Sequence, residues 1–284
     1  MSELKSVESQ LITPVTHYNL RLILREFFLF GFKQAWACLF GGLLLFFILA
    51  THYYYPFEAY LYRYDFLFLI AVFIQIVLLL FKLETPAEAG VIIIFHIVAT
   101  IMEIFKTSAL IGSWYYPEPA LFKIANVPLF AGFMYSAVGS YVARSWKGFD
   151  FEFSQYPKLI LTILLGVGIY ANFFSHHFII DFRWLLVALS IILFSRTWLY
   201  FTIDQQPRTM PLLAGWFLVA IFIWFAENIA TFTHIWLYPV QKQGWQLVSP
   251  QKIIAWYLLT IISFVLVSLV QKPRIRRSFC DISG

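Results

Sequence analysis

The chain has 284 residues; 61% are hydrophobic, 20% aromatic and only 12% charged, and the mean hydropathy is +0.77. A soluble domain is about one quarter charged, so this composition excludes a water-facing globule. The net charge of +5 is read as lysine and arginine placement about a membrane, and no nucleic-acid partner is expected.

About 26 mixed polar residues precede the first apolar run, with no small-residue cleavage site after a short core, so that run is expected to stay as an anchor. Eight apolar runs then approach or exceed the roughly 20 residues a helical crossing needs. They cover 28–50, 65–82, 89–112, 124–143, 157–174, 183–203, 210–232 and 250–270. Backbone groups in lipid are satisfied only in helices or closed barrels, and continuous apolarity excludes the barrel. The expected fold is an all-α integral membrane protein with eight transmembrane helices. Cys38 falls in the first run and Cys280 in the tail, so no disulfide framework is implied.

An even number of crossings returns both termini to one side. Thirteen lysines and arginines collect there, from Lys5 to Arg277; Arg63, Lys123, Arg183, Lys242 and Lys252 lie opposite. This bias places both termini in the cytoplasm. Lys106 and Arg196 lie inside predicted helices, and Arg144, Trp146 and Lys147 read as an interface anchor.

The eight runs divide into two similar sets of four. Glu103 and Glu227 lie 124 residues apart, each followed four residues later by a threonine, Thr107 and Thr231. Trp114, Tyr116 and Pro117 recur as Trp236, Tyr238 and Pro239 at an offset of 122, and Pro128 and Tyr135 recur as Pro250 and Tyr257 at the same offset. Thr51-His52 matches Ser175-His176, and Pro86 and Gly90 match Pro211 and Gly215. Four helices per unit is even, so the expectation is two parallel four-helix repeats about an axis along the membrane normal. The repeats cover 28–143 and 157–270. A cytoplasmic segment 1–27, a linker 144–156 and a basic tail 271–284 surround them. Interfacial preference alone accounts for recurring Trp and Tyr, but not for Glu-x-x-x-Thr at equivalent depth.

An ionisable group inside an apolar helix marks a site by default. Glu103 and Glu227 are the candidate catalytic residues. His96 and Thr107 share a helical face with Glu103; Asn228 and Thr231 lie beside Glu227, and Tyr135 faces the same region. These five are the candidate ligand-binding residues. With helices 89–112 and 210–232 facing one another, the two carboxyls would approach and share a proton, suiting acid–base catalysis or proton coupling. In the alternative, each glutamate neutralises a buried cation, Lys106 or Arg196, and only fixes packing.

His52, His176, His177 and His234 are expected at the outer surface with Asp181 near the pair. Their spacing is not that of metal ligands, so interfacial hydrogen bonding is preferred and no metal is expected. Gly132, Ser136 and Ser140, four apart, point to close helix packing. No phosphate loop, nucleotide fingerprint or nucleophile elbow is present, and no cofactor is expected.

The stretch Asn126 to Tyr141, with Asn172-Phe-Phe-Ser-His-His-Phe178 and Asp181-x-Arg183-Trp184, resembles the YoaT-like bacterial multi-pass membrane proteins, over most of the chain. That resemblance implies the bacterial cytoplasmic membrane and brings no assigned biochemistry. Glu103, Gly112-Ser-Trp114-Tyr-Tyr116 and Val127-Pro128-Leu129 are also similar, over about 30 residues, to membrane carotenoid hydratases and small lycopene cyclases. This second resemblance implies protonation of an isoprenoid double bond without a redox cofactor, with Glu103 as acid and Glu227 as its repeat partner. The leading expectation is a membrane enzyme whose partners are the bilayer and a lipid or isoprenoid ligand. A proton-coupled transporter and a non-catalytic scaffold stand beside it, and the oligomeric state is left open.

Overall fold

A computed structural model describes residues 20–276. The expected N-terminal segment up to residue 19, with Lys5, and Arg277 and Cys280 of the tail lie outside the described residues. Nine α-helices are described: α1 (Leu20–Ala37), α2 (Leu39–Tyr53), α3 (Arg63–Leu80), α4 (Pro86–Lys106), α5 (Phe130–Gly148), α6 (Leu159–Ser175), α7 (Arg183–Phe194), α8 (Leu212–Phe232) and α9 (Lys252–Gln271). Two short strands, β1 (Lys123–Ile124) and β2 (Val127–Pro128), form a hairpin. Three more, β3 (Glu152–Phe153), β4 (Trp198–Thr202) and β5 (Pro207–Pro211), form an antiparallel sheet in that order.

Among the described residues, α3, α4, α8 and α9 are each long and apolar enough to cross a bilayer, and the bent pair α1–α2 makes a fifth if counted as one span. The chain is a membrane-embedded helical protein. Several expected boundaries are corrected. The first run is not one helix: it breaks at Cys38 with a bend of 74°. Arg144 Nε donates to the Trp36 carbonyl at 3.0 Å just before the break, and a side chain engaging a helix carbonyl is a recognised cause of a kink. The run 89–112 ends as helix at Lys106, and 124–143 begins with the β1–β2 hairpin, turned at Ala125 with φ of 52°. Helix α7 has only 12 residues, roughly 18 Å long. The run 183–203 then turns at Ser195-Arg196, so Arg196 is not intrahelical. Its aromatic end Trp198-Leu-Tyr-Phe-Thr202 pairs with β5 instead, as aromatic and β-branched residues favour. Continuous hydropathy could not separate that strand from the helix before it.

The helices run alternately between two rims. At one rim, the ends of α2 and α8 meet through His52 and His234, and the loop after α4 meets the one after α8 through a Tyr115–Leu237 bridge. At the other, Arg144 of α5 reaches Trp36 of α1, Gln271 of α9 reaches the Ala143 carbonyl, and the β3–β5 sheet packs under Phe149 and Phe194. Helix α1 lies over that sheet: Arg25 pairs with Asp204, Arg208 with Glu26, and Lys33 donates to the Thr202 carbonyl at 2.9 Å. Its other face exposes Leu20, Phe27, Phe28 and Phe32.

The most extensive helix contact is between α4 and α5. Helix α4 starts from a capping box, Thr85 and Glu88 each accepting the other's backbone N–H, with Pro86 in the first turn. The small residues of α5 do lie against it. A Cβ on Gly132 would sit 2.4 Å from His96 Nδ1, and one on Gly139 would sit 2.7 Å from the Phe95 ring. Ser136 Oγ donates to the Ile92 carbonyl at 2.9 Å across the contact. The expected Arg144–Trp146 surface anchor is corrected: Arg144 and Trp146 are 4% and 3% exposed. Arg144 lies 3.5 Å from Glu84 Oε1, and Glu84 also accepts from Ser140 and Gln75. A guanidinium at that depth is tolerated because a carboxylate and carbonyls meet it.

Candidate functional site

Glu103 sits one turn before the end of α4 and is 1% exposed; Glu227 sits in the last two turns of α8 and is 2% exposed. Each is enclosed by aromatic donors. Glu103 Oε2 accepts from Trp114 Nε1 at 2.9 Å and the Tyr116 hydroxyl at 2.7 Å, and Oε1 accepts from the Tyr135 hydroxyl at 2.6 Å. Glu227 Oε1 accepts from the Tyr238 hydroxyl at 2.5 Å, and Oε2 from Trp256 Nε1 at 2.7 Å. The donors come from equivalent places, one set on the loop leaving the carboxyl's own helix and one on the helix that follows. Trp114, Tyr116 and Tyr238 arrive because each loop folds back over its helix end, held by the paired Tyr115 and Leu237 backbones at 3.0 and 2.9 Å. Tyr135 and Trp256 arrive because α5 packs on α4 and α9 on α8.

Neither carboxyl is the hydrogen-bond partner of the other. The two cages touch through rings: Trp114 and Tyr238 centroids lie 6.2 Å apart, as do those of Tyr135 and Trp256. The helices in extensive contact across the halves are α5 and α9, not the glutamate-bearing α4 and α8 that the sequence placed face to face. In place of the expected direct sharing of one proton, each carboxyl is met by its own set of aromatic donors. The ion-pair alternative is not what the structure holds either. Among the described residues no lysine or arginine bridges either glutamate; Lys106 instead meets His176 and His177, and Arg196 lies in an exposed turn.

Burial pushes the Tyr116 and Tyr238 phenols well above their usual value, and the Glu103 and Glu227 carboxylates push them further. Both phenols therefore stay protonated and act as donors or relays rather than as bases. Tyr116 also lines a cavity of about 210 Å³, with Thr107, Glu118, Lys123 and Asn126 at its polar edge. Glu118 is pushed up by burial and pulled back by Arg63, whose Nη1 lies 2.6 Å away. Tyr135 lines a second space of only about 20 Å³ among Phe95, Met102 and Ile262.

Of the seven residues singled out from sequence, Glu103 and Tyr135 are joined by a hydrogen bond, and Glu227 lies in the second cage. Thr107 lines the cavity while its hydroxyl donates to the Glu103 carbonyl at 2.8 Å. Asn228 and Thr231 tie the loop after α8 to its helix: Asn228 Oδ1 accepts from Val248 N at 2.8 Å, and Thr231 Oγ1 from Trp245 Nε1 at 3.2 Å. His96 stands apart, its ring 4.5 Å from that of Phe133 and its buried Nδ1 without a partner. Trp114, Tyr116, Tyr238 and Trp256 were missed as site residues. Three of the four sat in the repeated aromatic exits, which was the available signal. The repeat offset pointed to Tyr257 instead of its neighbour Trp256, whereas Tyr257 hydrogen-bonds Ser190 at 3.0 Å. Four of the six histidines fall in two separate pairs, His52 with His234 and His176 with His177, and no group of three metal-binding side chains occurs among the described residues.

A family model described as a protein of unknown function (DUF817) matches residues 26–264. The chain is 41% identical over 245 residues to the uncharacterized protein YoaT of Bacillus subtilis (strain 168), covering 86% of this chain and 91% of that one. No solved structure matches it. The matched range includes both glutamates and all five aromatic donors, and the chain belongs to the YoaT-like DUF817 family.

Proposed function

We propose that the chain is an enzyme of the bacterial cytoplasmic membrane that performs cofactor-independent acid–base chemistry on an isoprenoid or other lipid. The observation that carries this is Tyr116, which donates to the buried Glu103 carboxyl and also lines the 210 Å³ cavity. When Glu103 takes up a proton, the Tyr116 hydroxyl turns from donating to accepting; the carboxyl then passes that proton to the Tyr116 oxygen as the phenol releases its own to a ligand in the cavity. The carboxylate left behind is stabilised by Trp114 and Tyr135, and the reverse transfer restores the acid. Fixed donors aimed at a charge that appears during reaction are what such a step requires. Glu227 with Tyr238 and Trp256 is the repeat partner of this unit.

In the proposed architecture α2–α9 are eight crossings that fall within two parallel repeats, 28–143 and 157–270, with both termini cytoplasmic. Their alternation between rims supports this. So does the Tyr115–Leu237 bridge, which joins positions 122 apart, the offset that relates Trp114 to Trp236. Self-pairing of equivalent positions is expected at a two-fold axis. Helix α1 then lies along the cytoplasmic interface, its exposed phenylalanines in lipid and its basic residues toward the sheet.

The test is a deletion strain complemented with wild type, Tyr116→Phe or Glu103→Gln, its lipid extracts compared by mass spectrometry. Wild type should restore the parental lipid pattern, and Tyr116→Phe should fail to restore it while leaving the protein folded. Unchanged lipids on deletion, with proton-coupled uptake lost instead, would move the assignment to a transporter.

A further inference from the structure

Where the chain leaves α4, Lys106 is only 5% exposed. It forms no ion pair among the described residues. Its ammonium instead meets two imidazole nitrogens, His176 Nε2 at 3.3 Å and His177 Nε2 at 2.8 Å, whose rings lie 4.0 Å apart. His176 Nδ1 lies 2.8 Å from the Asn172 carbonyl, which assigns the proton to Nδ1 and leaves Nε2 bare toward Lys106. Two more cations stand on the same rim, close enough for their charge to act on Lys106: Lys252 at the start of α9 and Arg183 at the start of α7. Three carboxylates act on these cations, Asp181 and Glu103 on Lys106 and Glu227 on Lys252. Asp181 is already engaged by Arg183 at 3.0 Å, by Asn172 and by the Arg183 backbone N–H. Glu103 turns to its aromatic donors. Lys252 rests 4.4 Å from the centre of the Tyr238 ring.

A largely desolvated ammonium held only by neutral imidazoles, with further positive charge around it, is a costly arrangement that an anion relieves. The helix ends around the cluster are of both kinds, α4 and α6 ending at Lys106 and Ser175 and α7 and α9 beginning at Arg183 and Lys252, so the side chains rather than the helix dipoles set the sign of its charge. His177 is exposed and opens the cluster to the rim.

We infer that Lys106, His176 and His177 form a binding site for a phosphate-type oxyanion, either a phosphomonoester lipid headgroup or free phosphate. A tetrahedral dianion accepts from Lys106 and from both Nε2 atoms once these carry protons, so three donors converge where the cluster with neutral imidazoles has one donor and two acceptors. Desolvation first, and the Lys106 charge second, hold His177 down to about 4. An anion cancels the second cause, so binding takes up protons. The site shares no residue with the glutamate cages.

The experiment uses the full chain in nanodiscs of neutral phosphatidylcholine. In one arm inorganic phosphate is titrated against chloride at equal ionic strength; in the other, phosphatidic acid is included in the disc. Melting temperature and phosphorus NMR linewidth are read for wild type, Lys106→Met and His177→Gln. Saturable stabilisation of wild type is expected, with affinity weakened roughly tenfold or more in both variants. A response to phosphatidic acid alone assigns a lipid headgroup; a response to inorganic phosphate as well assigns the bare anion. No response of wild type in either arm overturns the site, as does an affinity unchanged in the variants. If Lys106→Met fails to fold, His177→Gln, on the exposed side, decides.

Discussion

Replacing Glu103 separates its role as an acceptor from its role as an acid. In Glu103→Leu three buried donors, Trp114 Nε1 and the Tyr116 and Tyr135 hydroxyls, lose their acceptor at once. A buried donor left unsatisfied costs ~1–3 kcal/mol, so the leucine variant should lose ~3–9 kcal/mol. Glu103→Gln keeps the shape. Its amide oxygen can serve Trp114, which only donates, together with Tyr116, while its amide nitrogen donates to Tyr135, whose hydroxyl can turn to accept. The loss is then the difference between charge-assisted and neutral hydrogen bonds, about 1–3 kcal/mol. The assay is thermal melting of the purified variants in one detergent, beside expression level. The expected order is wild type, then glutamine, then leucine far below. A leucine variant as stable as the glutamine variant would refute the donor cage. Severe unfolding of Glu103→Gln would show instead that a cation depends on this carboxylate, contrary to the absence of an ion pair among the described residues.

Gly132→Ala should destabilise by ~1–3 kcal/mol, since its Cβ would meet His96 Nδ1 at 2.4 Å, while Gly42→Ala, with nothing within 4 Å, should be nearly neutral in the same melts. Glu84→Leu leaves the Arg144 guanidinium, 3% exposed, without its carboxylate, and should cost ~3–5 kcal/mol, seen as lost expression or melting. The imidazole of His177 is held below its usual 6.5, so its contribution is intact above that value and is lost as pH falls toward about 4. In phosphate-free buffer His177→Gln should therefore flatten the fall in melting temperature over that window. For orientation, cysteines at Gln243 and Gln205, placed after removal of Cys38 and Cys280, should be respectively reactive and shielded toward an impermeant thiol reagent in intact cells; the reverse pattern inverts the topology.

The sequence by itself determined that this chain lives in a membrane, because a composition only 12% charged leaves no alternative surface. It also located the glutamates, since an ionisable residue in an apolar helix is conspicuous without any neighbour being known. The small-residue face of α5 was legible for a similar reason: Gly132, Ser136 and Ser140 recur at helical spacing, and spacing is a local property. What held each glutamate was not local. Trp114 and Tyr116 lie 11 and 13 residues beyond Glu103, and Tyr135 lies 32 beyond, so their convergence depends on how the loop folds back and how α5 docks. Hydropathy could not tell the helix α7 from the strand β4, because both are apolar and only pairing with β5 distinguishes them. Nor could it place the break at Cys38, which coincides with a guanidinium from α5, 108 residues away, engaging the Trp36 carbonyl. The tertiary structure alone decided that Lys106 faces two histidines rather than a glutamate: one helical turn offers several faces, and the packing of α6 against α4 selects among them.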